Sequence, residues 1–136
     1  MKKPFIPLFF LLFLCTACSH DQELRVGYAD DDNEFQTNFD EPITSVETIE
    51  TVQQIMKQGE EVPITTRPTE IEPITLMHNS LKESVTFNAY QLYLLDDQSI
   101  LFTHAIHQSD SVNEAFLLSE ADSDTLKELL QIEEAQ

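Results

Sequence analysis

Hydrophobic and polar positions change their rhythm four times along this chain. After Lys2 and Lys3, no residue from Pro4 to Ala17 is charged, and Phe5, Ile6 and Leu8 to Leu14 form an apolar run. A membrane-crossing helix needs about 20 apolar residues. This run is shorter, and His20, Asp21 and Glu23 follow it at once, the layout of an export signal. Residues 18–40 are acidic with few apolar positions, which predicts a flexible tether with room for a short strand at Leu24 to Tyr28. From Thr44 the period becomes helical. Thr44 and Glu47 have the spacing of a capping box, and Ile49, Val52, Ile55 and Met56 make an apolar stripe. A helix is expected from Ser45 to Gln58, with Gly59 just past its end.

The period then shortens to two. Glu60 to Glu72, holding Pro63 and Pro68, reads as a polar connection. Strands are expected at Ile74 to His78, Val85 to Leu95, Ile100 to His107 and Val112 to Leu118. In the second, Val85, Phe87, Ala89, Gln91, Tyr93 and Leu95 alternate with Thr86, Asn88, Tyr90, Leu92 and Leu94. Both sets are apolar near the end, as in a central strand. Asp96 to Ser99 reads as a hairpin turn. A second helix is expected from Glu120 to Glu134, with leucines on one face. The predicted fold is α+β: a helix, about four antiparallel strands and a C-terminal helix, with both helices on one sheet face. The expected divisions are a signal segment over 1–17, the tether over 18–40 and one small domain over 41–136.

The end of the signal resembles the lipobox of bacterial lipoproteins, in which a small residue precedes a cysteine that receives diacylglycerol. Ala17 fills the position before cleavage, Thr16 the one before it, and Cys18 is the residue that would carry the lipid. Cys15 stands where that family usually has Leu. It cannot be the modified residue itself, because Phe13 and Leu14 would then occupy the small-residue positions. Each buried CH₂ of an acyl chain contributes about 0.8 kcal/mol, so two or three chains hold a folded domain durably.

Removing the first seventeen residues leaves 119 of the 136, and the loss of Lys2 and Lys3 moves the formal charge from -18 to -20. Only Arg25, Lys57, Arg67, Lys82 and Lys127 stay positive. Such a field repels nucleic acid, which needs a basic surface. Basic protein partners and divalent cations remain admissible. Both cysteines lie at or before position 18, so the processed chain holds no thiol pair for a disulfide or redox site. With only Gly27 and Gly59, no glycine-rich phosphate loop can form.

The remaining candidates for chemistry are weak. Asp30, Asp32, Glu34 and Glu41 fall at positions 1, 3, 5 and 12 of a calcium loop, but Phe35 stands where a sharp turn needs Gly. His104 and His107 have the H-x-x-H spacing, which works on a helix. On a strand, a separation of three points the two rings to opposite faces. His78 completes the histidine set, with no Cys to assist and no H-E-x-x-H. No serine sits in a G-x-S-x-G setting, and Asp96 and Asp97 belong to the turn. Tyr90, Tyr93, Phe87 and Phe102 read first as ordinary core residues, and otherwise as a partner-binding surface on a sheet face that the helices leave uncovered. No catalytic, cofactor-binding or metal-ligating residue is assigned, and the one site residue is Cys18.

The stretches EPITSVETIETVQQIM, NAYQLYLLDDQSIL and LLSEADSDTLKELL resemble those of small uncharacterised lipoproteins of Bacillus and its relatives. The resemblance implies a membrane-anchored α+β domain in a Gram-positive cell and brings no catalytic residues with it. The expected function is therefore that of a lipid-anchored protein on the outer face of the cell membrane. It would act as a non-catalytic interaction or accessory module with a protein partner at the cell surface. A binder of a cation or small peptide in the wall zone is the alternative, and an enzyme comes third.

Overall fold

The computed structural model describes residues 21–33, 36–105 and 114–133. The signal segment, Cys18, His107 and the first two residues of the fourth expected strand lie outside them.

Leu24, Val26 and Tyr28 alternate with Glu23, Arg25 and Gly27, and this alternation builds strand β1 (Gln22–Ala29). Then follow β2 (Thr37–Phe39), helix α1 (Val46–Lys57), β3 (Glu60–Pro63), a single 3₁₀ turn (Ile64–Thr66), β4 (Ile74–Ser80), β5 (Val85–Leu94), β6 (Ile100–His104), β7 (Glu114–Leu117) and helix α2 (Glu120–Leu130). The strands form one sheet in the order β2-β1-β4-β5-β6-β7-β3. All its pairings are antiparallel.

The expectation of about four strands is corrected to seven among the described residues. The fold is α+β with a sheet larger than the sequence suggested. Two of the added strands come from the stretch read as a tether, the first of them lengthening the short strand expected at Leu24 to Tyr28. In β1, Glu23 is buried, with Arg25 Nε 3.2 Å from its carboxylate and Asn79 Nδ2 donating to it at 3.1 Å. Acidic composition suggested solvation there, and Arg25 on the same strand with Asn79 on the neighbouring one supplies the compensation instead. Strand β2 is exposed at every position, so it has no apolar alternation to read. The third added strand, β3, came from the expected polar connection and half-covers only Val62.

The helices begin and end for local reasons. Ser45, not Thr44, caps α1: its side chain accepts from the Thr48 amide at 3.4 Å. Ile49, Val52, Ile55 and Met56 are its buried stripe. Ser119 caps α2, accepting from the Asp122 amide at 3.1 Å. That helix stops at Leu130, short of the expected Glu134, because Gln131 turns left-handed at φ 55°. The Ile132 amide then donates back to Lys127 O at 2.9 Å, which tucks the Ile132 side chain under the helix.

Both helices pack on one face of the sheet, where Leu24, Leu76, Leu92, Ile100 and Leu118 meet Val52 and Leu126 in the main core. The opposite face is partly covered as well. Since β3 lies at the far edge and β4 pairs with β1, the chain between them crosses that face. Its Ile64 and Ile71 pack on a second cluster of Tyr93, Leu101 and Ala115. Strand β5 is central, as its two apolar faces implied. A register shift between His78 and Asn79 pairs His78 with Asn88 but Asn79 with Thr86, so Phe87 is an extra, bulged residue.

Candidate functional site

Cross-strand register decides which side chains share the helix-bearing face beyond the core. Tyr90 pairs with His104, and Phe102 pairs with both Leu92 and Phe116. These positions therefore point the same way as the core residues. Helix α1 ends at Lys57 and leaves Tyr90, His104 and Phe116 only partly covered, and the residues lining the space beside them come from α1 and the sheet side. The result is an open cleft of about 480 Å³ between the C-terminal half of α1 and strands β5, β6 and β7. Gln53, Met56, Lys57 and Gly59 line one side. Asn88, Tyr90, Phe102, His104 and Phe116 line the other.

Four rings make its floor. Phe102 and Phe116 are stacked at 5.3 Å with 21° between their planes. Tyr90 stands edge-on to Phe102 at 5.7 Å and tilted against His104 at 5.1 Å. His104 closes the group, edge-on to Phe116 at 5.8 Å. Edge-to-face and offset contacts of this kind hold rings in fixed positions. Phe102 is fully buried, while Tyr90, His104 and Phe116 are half-exposed. Burial raises the Tyr90 phenol above its ordinary 10.0, so it stays protonated and able to donate a hydrogen bond at neutral pH.

Gln53 links the cleft to the interior. Its amide Nε2 lies 3.1 Å from His78 Nδ1, and His78 Nε2 lies 2.9 Å from Gln22 Oε1. Those partners assign the ring proton to Nε2 and leave Nδ1 as the acceptor. Burial lowers the His78 pKa below 6.5, so the ring is neutral in the fold. His78 is a core histidine that positions Gln53 from α1 and Gln22 from β1.

The sequence candidates thus separate. Tyr90, Phe102 and His104 come together in the cleft, whereas Tyr93 is buried on the opposite face and donates from its hydroxyl to Gln91 at 3.2 Å. Phe87 is exposed and tilted against the His78 ring at 5.2 Å. The expected aromatic surface is therefore not one surface. Asp30 and Asp32 lie in the β1–β2 connection, where Asp30 Oδ1 accepts from the Asp32 amide at 3.0 Å. Asp97 holds the β5–β6 turn by accepting from the Ser99 amide at 3.0 Å and from its hydroxyl, and these bonds lower its pKa. Among the described residues, no three His, Cys, Asp or Glu side chains gather into a metal site.

Sequence reasoning missed Gln53, Lys57, Gly59, Asn88 and Phe116 as cleft residues. Nothing local marks them, because they meet only through the β6–β7 register and the point at which α1 stops. Among the described residues, no helix is long and apolar enough to cross a membrane. No family model, curated protein or solved structure matches the chain.

Proposed function

We propose that the chain is a lipid-anchored extracytoplasmic protein, held at the cell membrane by diacylglycerol on Cys18, and that its folded part is a non-catalytic interaction module. The anchor half of this reading rests on a short apolar core followed in register by Ala17 and Cys18. The binding half is carried by the aromatic cleft. Its floor offers apolar contact, and Gln53, Asn88, Lys57 and the neutral Tyr90 hydroxyl stand around it to fix orientation. An apolar pocket with a few convergent polar groups is the usual form of a recognition site. Its volume of about 480 Å³ suits roughly one or two bulky side chains of a peptide segment. The formal charge of -20 on the processed chain favours a partner with a basic face.

Photo-crosslinking from the cleft tests this reading in cells making the full-length protein. Benzoylphenylalanine in place of Tyr90 is expected to give a discrete adduct. The same residue in place of Asp96, in the turn at the other end of β5, is expected to give none. Phe116→Asp, which puts a charge on the cleft floor, should abolish the Tyr90 adduct. Equal labelling from positions 90 and 96 would remove the cleft as the docking site.

A further inference from the structure

Among the described residues, four large apolar side chains are exposed, and three of them belong to one hairpin end: Leu81 at 48%, Val85 at 47% and Phe87 at 43%. They flank the turn Leu81–Ser84 between β4 and β5. A cluster of this kind on an otherwise strongly acidic surface marks a contact site. Its position in the fold names the contact. Gln22 pairs with Ser80, and the Leu81 amide donates to Asp21 O at 2.7 Å, so the described chain begins directly beside this turn. Cys18 is three residues before Asp21. Fully extended, that distance is at most about 11 Å.

We infer that the β4–β5 turn is a second membrane contact, in which Leu81, Val85 and Phe87 enter the interfacial region of the bilayer that holds the lipid on Cys18. The inference rests on the lipid-anchor reading. Diacylglycerol places Cys18 at the level of the headgroups, and the short reach from there to Asp21 keeps the turn within the same layer. Apolar side chains in that layer leave water at a gain of about 25 cal/mol per Å². Lys82 offsets Glu83 at the tip and Asp21 beside it remains acidic, so the apolar area and not charge carries the contact. Held at two points, the domain acquires a fixed orientation, with β1 and β5 running away from the bilayer and β4 running toward it. Asn88, four residues past Ser84, then brings the aromatic cleft close to the membrane surface.

The test uses the processed, lipidated protein in vesicles of phosphatidylethanolamine and phosphatidylglycerol. Its one native cysteine is blocked by the thioether, so a single introduced thiol can carry an environment-sensitive fluorophore. With Val85→Cys, a blue-shifted emission is expected, with severalfold weaker quenching by aqueous iodide and strong quenching by nitroxide-bearing lipids. With Asp96→Cys, at the far end of β5, the label should behave as in water. Both positions are exposed or at the rim, and circular dichroism checks that each variant keeps the fold. If the protein floats with the vesicles but the Val85 label is as wet as the Asp96 label, the membrane contact is overturned while the anchor stands, and the turn is left to a protein partner. If the chain carries no diacylglycerol and does not float, the anchor reading and this inference fall together.

Discussion

At Gly59 the cleft depends on an absent side chain. Its backbone has no positive φ, so conformational freedom does not explain the residue. A Cβ there would sit 2.9 Å from the Phe102 ring and 3.0 Å from Phe116 Cβ. The position stays bare so that the end of α1 can lie close to the stacked phenylalanines. Gly59→Val should therefore lower the urea midpoint by an amount equivalent to about 1–3 kcal/mol. An unchanged midpoint would show that the floor is loose there. His78 makes a different demand, since the fold holds it neutral with its pKa below the ordinary 6.5. Between the folded and unfolded values the unfolded chain binds more protons, so stability falls as the pH drops below 6.5 and is complete above it. Urea midpoints taken down from neutral pH should fall through that window in the wild type, and His78→Gln should flatten the profile. An equal slope in both proteins would place the titration elsewhere.

The elements differ in how far the chain announced them. Both helices could be read, because the stripe from Ile49 to Met56 and the leucines at 126 and 130 repeat at helical spacing. The four-strand meander from β4 to β7 was legible from its alternation and from the turn at Asp96 and Asp97. Of strand β1 only the stretch Leu24 to Tyr28 was legible, and β2 and β3 were not. Their evidence is held by partners far along the chain: Asn79 for Glu23, Gly27 for Phe39, Phe116 for Glu61. The same is true of the join between α2 and the sheet. Ser123, fully buried, accepts a hydrogen bond from the Ile100 amide at 2.9 Å, where β6 begins. Nearby, the buried Lys127 ammonium donates to Gln98 O at 3.0 Å, also in the β5–β6 turn region. Ser123→Ala would leave the Ile100 amide unsatisfied and should cost about 1–3 kcal/mol of unfolding free energy. The loss should appear as faster exchange of that amide. A protected amide in the variant would mean that another acceptor replaces the serine.

For the whole molecule, the proposed lipid-bearing residue Cys18 precedes by four residues the first strand of the sheet, which starts at Gln22. On the proposed processing the formal charge would be -20, and the proposed contact with the membrane would then come through lipid and apolar side chains rather than through charge. The proposed recognition site is a corner of the helix-bearing face where α1 ends. The histidines showed why a sequence pattern alone could not assign it. His78 and His104 lie on the same face, yet one is a buried structural residue and the other borders the cleft. Everything proposed about location depends on Cys18. The most direct measurement is mass spectrometry of the N-terminal peptide from membrane-extracted protein, with Cys18→Ala alongside. The expected result is a chain that begins at Cys18 and carries diacylglycerol, and a variant that lacks the lipid. A released protein with a free Cys18 thiol, or with its N-terminus elsewhere, would contradict it.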